Sequence, residues 1–155
     1  MHPAVEPLAF LLGTWTGEGD GAFPTISPFR YREELRFTEN GKPFVAYSQR
    51  TWALDDGRPL HGESGYLRPL ADGVGVEYVL AQPTGLAEIG AGSLRGTRLA
   101  LAARVTRTAT AVAVEEVERE LEVDGDVLRY ELRMSLPEVT LRRHLTATLR
   151  RTVDA

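Results

Sequence analysis

The sequence predicts an all-β fold, a ten-stranded antiparallel up-and-down β-barrel with a short N-terminal capping helix. Short segments rich in β-branched and aromatic residues alternate with turn signals about every eight to twelve residues, which is typical of all-β barrels and sandwiches. The connections have hairpin length, which favours an up-and-down order. With 155 residues, the chain is expected to form one domain, residues 1–155, that can enclose a cavity for one ligand.

The stretch Leu12–Ile26 is expected to form the first strand. It contains four glycines within nine residues: Gly13, Gly17, Gly19 and Gly21. Each glycine would cost about 1 kcal/mol in a helix interior, whereas in a strand glycine marks a bend or a close approach. Alternation places Trp15 on the same face as three of these glycines, so we expect Trp15 to plug one end of the barrel.

The other elements follow in chain order. Val5 to Leu12 is expected to form one or two helical turns that cap a barrel opening, with Leu8, Leu11 and Leu12 on a shared face. Turn signals such as Asn40-Gly41 and Asp124-Gly125 separate the later strands. The later strands are expected at Phe29–Phe37, Phe44–Leu54, Leu60–Arg68, Val74–Gln82, Leu86–Leu94, Gly96–Ala103, Thr110–Val123, Val127–Ser135 and Val139–Val153.

The segment Thr110–Val123 is ambiguous because its many glutamates would also suit an exposed helix. Its β-branched residues and the hairpin signal at Asp124-Gly125 favour a strand, with a bulge near Glu115-Glu116. The glutamates themselves are interpreted as a solvated surface.

The composition excludes several classes of function. The chain has no cysteine, which rules out disulfides and thiolate chemistry and suits a reducing cytoplasm. A formal net charge of −4 argues against nucleic-acid or membrane partners. The N-terminal segment lacks the basic residues of a secretory signal, and no apolar run is long enough to span a membrane, so we expect a cytoplasmic protein. No hydrolase motif or zinc-ligand spacing is present.

Three stretches together resemble the nitrobindins, a family of small haem-binding β-barrels. They are the motif GTWTGEG, the following FPTI, and the strand that begins PFRYREELRF. The resemblance extends from Leu12 to Arg151. It implies one haem b per chain, with His144 in RRHLTATLRR as the axial ligand. A single imidazole ligand would leave the sixth iron position open for a small molecule.

Alternation alone leaves the orientation of His144 open. It places His144 on a polar face with Arg142 and Thr146, opposite Leu145. That face would be exposed to solvent in a β-sandwich, whereas in a ligand-binding barrel it would form part of a polar cavity wall.

The resemblance also implies further cofactor contacts. It gives His61, Gln82, Val114 and Met134 as cavity positions, and Thr25 as a hydrogen-bond donor to the porphyrin or its propionates. We expect His61 to be a wall or rim residue, since a second axial imidazole would close the iron site. Propionates could meet basic residues at the cavity mouth, namely Arg30, Arg142 and Arg143.

The function that the resemblance implies is reversible binding of nitric oxide and isomerisation of peroxynitrite to nitrate by ferric haem. It leaves a homodimer open. One alternative is a haem-free carrier of an apolar small molecule. Another is an interaction module that uses the glutamate-rich strand, Glu115 to Glu122.

Overall fold

The computed structural model of the protein describes residues 1–152 and contains ten strands that close into one antiparallel barrel. Each strand pairs with its neighbours along the chain, and the first pairs with the last, which confirms the predicted fold class. The strands are β1 (Gly13–Phe23), β2 (Ile26–Thr38), β3 (Val45–Ala53), β4 (Pro59–Pro69), β5 (Gly75–Gln82), β6 (Leu86–Arg95), β7 (Arg98–Arg107), β8 (Glu116–Asp124), β9 (Val127–Leu136) and β10 (Val139–Arg151).

A 3₁₀ helix at Pro3–Leu11 precedes β1 and covers one end of the barrel. Its buried residues are Val5, Leu8 and Leu11, which are spaced by three because a 3₁₀ helix has three residues per turn. The prediction that Leu12 belongs to the helix and shares this face is therefore wrong, since the helix ends at Leu11. No helix within residues 1–152 has the length and apolar character needed to cross a membrane.

Trp15 closes the helix-covered end, as expected. Its side chain is fully buried, and its Nε1 donates a hydrogen bond to the Leu11 carbonyl oxygen at 2.8 Å. Further along β1, Gly17 lies against the backbone of Thr148 and Leu149 on β10, where a Cβ would collide with main-chain atoms. Gly17 therefore permits close contact between the first and last strands.

The segment before β8 differs from the prediction. Residues 108–115 form a loop, and β8 begins only at Glu116. No bulge occurs near Glu115-Glu116, because the register of β8 with β9 is continuous from Glu116 to Asp124. At the C-terminus, β10 ends at Arg151, and the predicted strand end, Val153, lies outside the described residues.

The outward glutamates of β8 form surface ion pairs with neighbouring strands. Glu116 pairs with Arg104 of β7 at 3.7 Å, and Glu118 pairs with Arg133 of β9 at 3.7 Å. Their alternate neighbours on β8, by contrast, face the barrel interior.

Candidate functional site

An open cavity of about 1240 Å³ occupies the end of the barrel opposite the 3₁₀ helix. This volume exceeds the roughly 300–1,000 Å³ of pockets that hold drug-sized ligands. The end of β1, the start of β2 and the start of β10 line one side, and the rest is lined by residues of β3 to β6, β8 and β9 and of the loops before β4 and β8. Among residues 1–152, side chains thus pack the helix-covered end of the barrel and leave the other end open.

His144 lies at a β-bulge on β10. Arg143 pairs with Arg133 of β9, and the next paired residue, Leu145, faces Leu132. Within the described pairing of β9 and β10, His144 therefore has no partner of its own. A bulge interrupts the strict alternation of side chains, so both His144 and Leu145 line the cavity.

The imidazole of His144 is held by two contacts with β1. Its Nδ1 lies 3.1 Å from the main-chain oxygen of Ala22. Since a carbonyl oxygen only accepts, Nδ1 carries the proton and Nε2 of the neutral ring keeps its lone pair. The ring also packs edge-on against Phe23, with the ring centroids 5.5 Å apart. Burial lowers the pKa of His144, which favours this neutral form.

Four other predicted contact residues line the same cavity: His61, Gln82, Val114 and Met134. Val114 reaches the wall from the loop before β8, where it packs with Leu86 and Val117 in an apolar cluster near the cavity. Thr25 lies in the exposed turn between β1 and β2 and does not line the cavity, although the next residue, Ile26, does. The role given to Thr25 stays a prediction.

His61 also lies at an irregularity, on β4. The register shifts between Arg50 and Trp52 of β3, and three residues of β4 span the same length as two of β3. The main-chain N–H of His61 donates to Oγ1 of Thr51 at 3.0 Å. Its Nε2 lies 3.4 Å from Oε2 of Glu63, so the imidazole is oriented by a buried carboxylate.

Arg119 of β8 crosses the barrel interior between two carboxylates. Its Nη1 and Nη2 donate to Glu63 at 2.5 and 3.0 Å, and its Nε and Nη2 donate to Glu88 at 3.0 and 2.6 Å. Burial alone would raise the pKa of Glu63, but Arg119 and His61 bring it well below its ordinary value. Tyr47 and Tyr78 add hydroxyl donors to Glu63 and Glu88, respectively.

A third buried carboxyl group, Glu33 of β2, lies in the same interior but accepts no hydrogen bond from the Arg119 guanidinium. It accepts hydrogen bonds from Nε2 of Gln49 and, at 2.7 Å, from the Tyr130 hydroxyl. Burial raises the pKa of Glu33 to about 7, against the effect of these two donors. Together with Arg119, Glu63 and Glu88, it forms a layer that we call the polar floor, between the cavity and the helix-covered core.

The polar floor was not predicted from the sequence. Strict alternation places Glu33 on the inner face of β2 between Tyr31 and Leu35, and it places Arg119 between Val117 and Leu121 on β8. A charged residue at an inward position of a strand was therefore the available signal. The run of charges around Arg119 instead favoured the interpretation as a solvated surface.

The three arginines considered for the cavity mouth have different positions. Arg143 and Arg30 line the cavity, and Arg30 is also paired with Glu18 and Asp20 at 3.1 and 3.2 Å. Arg142 is exposed and does not line the cavity. Among the described residues, Arg143 is the predicted propionate contact that lines the cavity and forms no protein ion pair.

Comparisons with known proteins agree with this architecture. The protein is 46% identical over 149 residues to "Peroxynitrite isomerase Rv2717c" of Arabidopsis thaliana, which covers 96% of this chain and 89% of the relative. It is 45% identical over 156 residues to peroxynitrite isomerase 2 of Mycobacterium marinum, which covers 97% of this chain and 96% of the relative. The crystal structure of Rv2717c from M. tuberculosis superposes with a TM-score of 0.93, at 42% identity and 99% coverage of both chains.

A family model also matches almost the whole barrel. It is the THAP4-like, heme-binding beta-barrel domain, and the match runs over residues 4–151. The resemblance to the nitrobindins that the sequence motifs predicted is thus confirmed for the family. The chain belongs to the family of THAP4-like, haem-binding β-barrel domains.

Proposed function

We propose that this protein binds one haem b in the open cavity, with His144 as the axial ligand, and isomerises peroxynitrite to nitrate in the ferric state. The observation that carries the proposal is the state of the His144 imidazole. Its Nδ1–H is used by the Ala22 carbonyl oxygen, which leaves the lone pair of Nε2 free on a neutral, half-buried ring that lines the cavity. Histidines that bind metals commonly use a second hydrogen bond of this kind to fix the tautomer and orient the ring.

The cavity fits a haem group in two further respects. Its far wall is apolar, formed by residues such as Leu86, Val117 and Leu132, which suits a porphyrin face. Its mouth carries Arg143, which suits a propionate. We assign the remaining predicted contacts to Thr25, His61, Gln82, Val114 and Met134.

When bound, ferric haem would supply an open Lewis-acidic position at which peroxynitrite rearranges to nitrate with no change in its atoms. The protein's own part is to hold the ring through His144, orient that imidazole through Ala22 and Phe23, and shield one side from water. The open mouth lets a small anion enter without a lid. Nitric oxide is the second proposed ligand of the same position.

We propose that residues 1–155 form one domain that works in the cytoplasm, without a nucleic-acid or membrane partner. The absence of cysteine and the net charge of −4 support this part. A homodimer is left open.

Hemin titration of the purified protein tests the proposal, with the two cavity histidines as matched variants. We expect a sharp Soret band in the wild type and in His61→Ala, and its loss in His144→Ala. Rapid mixing with peroxynitrite should then give faster decay and a higher nitrate yield in the wild type than in His144→Ala.

The alternative function is a haem-free carrier of an apolar small molecule. The apolar wall of the cavity is the observation that favours it. A wild type whose spectrum is unchanged by hemin, but which binds an apolar dye in a 1:1 complex, would support the carrier instead.

A further inference from the structure

Glu33 is a buried carboxyl group that the proposed function does not use. Glu33 is only 1% exposed, and it lies beneath the cavity rather than in its lining. The hydrogen-bond donor on its Oε1 is Gln49, whose side chain does line the cavity. One side chain therefore separates Glu33 from the space proposed for the haem.

Within residues 1–152, the charge of Glu33 is not compensated by a bonded cation. The four hydrogen bonds from Arg119 all go to Glu63 and Glu88, whereas the donors to Glu33 are the neutral groups of Gln49 and Tyr130. In an interior of low effective dielectric, such a charge acts over longer distances than a solvated one. Glu33 can therefore change between a neutral and an anionic form within this interior.

A chain of hydroxyl groups connects Glu33 to the cavity. The Tyr130 hydroxyl donates to Oε2 of Glu33, and the hydroxyl oxygens of Tyr130 and Tyr31 are 2.7 Å apart. Tyr31 lines the cavity. Because a hydroxyl can both donate and accept, a proton can pass from the cavity to Glu33 without unfolding of the barrel.

The other ionisable groups that face Glu33 do not change their protonation state near neutral pH. The pKa values of the surrounding tyrosines are raised, chiefly by burial, so these residues stay neutral. The pKa of Glu63 is held low, so it stays anionic beside Arg119. The facing groups are Tyr31 of β2, Tyr47 of β3, Glu63 of β4, Arg119 of β8 and Tyr130 of β9.

We propose that Glu33 couples its proton to the charge of the haem iron: its carboxylate favours the ferric state, and one-electron reduction by an external donor drives proton uptake at Glu33. In the limit of full coupling, ferric haem takes up one electron and becomes ferrous haem. The Glu33 carboxylate takes up one proton in the same step and becomes a carboxylic acid. The inference rests on the proposed haem site. It gives a structural reason for a ferric working state, since coupling of this kind is reciprocal.

Spectroelectrochemical titration of the haem-loaded protein between pH 5.5 and 9 tests the proposal. We expect the wild type to become harder to reduce as the pH rises through the region near 7. Glu33→Gln should lose this step and be easier to reduce at pH 8 by on the order of tenfold in the Fe(III)/Fe(II) equilibrium constant, because it lacks the negative charge. Glu34→Gln is the matched control, because Glu34 is the next residue on β2 and pairs with Arg36 outside the barrel.

Tyr130→Phe provides a second variant that does not depend on the fold of Glu33→Gln. It removes the hydroxyl that stabilises the Glu33 carboxylate, so the pH step in the potential should move to higher pH. Direct measurement of proton uptake on reduction of the wild type, with a pH indicator in weakly buffered solution, should give a fraction of a proton per electron near pH 7.

The outcomes separate this inference from the proposed function. A wild type that gives no Soret band with hemin overturns both. A wild type that binds haem through His144 but takes up no proton on reduction overturns the coupling alone, as does an identical pH step in wild type and Glu33→Gln. A step that is lost in Glu33→Gln, shifted in Tyr130→Phe and kept in Glu34→Gln supports it.

Discussion

Glu33 and Glu63 are both buried, inward-facing carboxyl groups of the barrel, but their pKa values are displaced in opposite directions. Burial alone would raise the pKa of both carboxyl groups. Of these two carboxyl groups, Glu63 contacts the Arg119 guanidinium, at 2.5 and 3.0 Å, and this interaction outweighs the effect of burial. Glu33 has neutral donors alone among the described residues, so burial dominates. The placement of one arginine thus determines the direction in which each pKa is displaced.

Removal of that arginine should destabilise the fold strongly. Arg119→Met keeps much of the side-chain volume but leaves Glu63 and Glu88 without their common cation. We expect a loss of about 3–5 kcal/mol in the free energy of unfolding, as for other broken buried ion pairs. Urea denaturation measures it. Arg133→Met removes an exposed arginine from the neighbouring strand and should cost at most about 1 kcal/mol. Similar, small losses in both variants would contradict the structural role given to Arg119.

Glu33 should make stability depend on pH. Its folded-state pKa, about 7, lies above the ordinary value of 4.5. The folded protein therefore binds the proton more tightly than the unfolded chain, and this contribution to stability is present below pH 4.5 and is lost as the pH rises to about 7. The shift corresponds to at most about 3 kcal/mol.

The measurement is the difference in free energy of unfolding between wild type and Glu33→Gln from pH 5 to pH 8. The amide introduced by Glu33→Gln cannot ionise, so the variant should gain stability relative to the wild type as the pH rises. Glu34→Gln should show no comparable trend. A constant difference between wild type and Glu33→Gln across this range would be inconsistent with a titrating Glu33.

The fold could be predicted from the sequence because turn signals and alternation are local. Trp15 at the closed end followed from its position among the glycines of β1. The start of β8 was misplaced because Val112 and Val114 look like strand residues, whereas Val114 is buried by packing against Leu86 and Val117 across the loop.

The site was only partly predictable from sequence. The orientation of His144 depends on the register of β10 against β9, and register is a property of two strands rather than of one. Family resemblance gave His144 as a candidate ligand, which stays a prediction, but alternation could not show that a bulge turns it inward. Glu33 and Arg119 had a local signal, since each interrupts an apolar face. Their partners lie many residues away in the chain, so the network itself could not be inferred.

The glycines of β1 offer a steric test. In Gly17→Ala, the new Cβ would collide with the Thr148 carbonyl oxygen and come within 2.8 Å of the Leu149 Cα, so β1 and β10 would have to separate. We expect a loss of about 2 kcal/mol or more, comparable with overpacking of a core. Gly62→Ala is the control, because its Cβ would meet only the Gln49 oxygen at 3.5 Å, an ordinary contact. Thermal unfolding of the two variants should therefore differ clearly, and equal melting temperatures would count against close packing at Gly17.

Phe23 should determine how firmly His144 holds the proposed haem. The two rings meet edge-on, at an interplanar angle of 78°, and Phe23 is itself 5% exposed within the apolar cluster near the cavity. Phe23→Leu keeps an apolar side chain but removes the ring edge, so the imidazole gains rotational freedom. Loss of an outer contact to a metal ligand typically weakens binding by about 10–100-fold.

We therefore expect haem to transfer from Phe23→Leu to an excess of a haem-scavenging apoprotein at least about tenfold faster than from the wild type. Phe44→Leu makes the same substitution where the ring packs edge-on against the exposed Tyr66, and its transfer rate should equal that of the wild type. Urea denaturation of both apo variants shows whether each is still folded. Equal transfer rates in folded Phe23→Leu and wild type would mean that Phe23 does not help to orient His144.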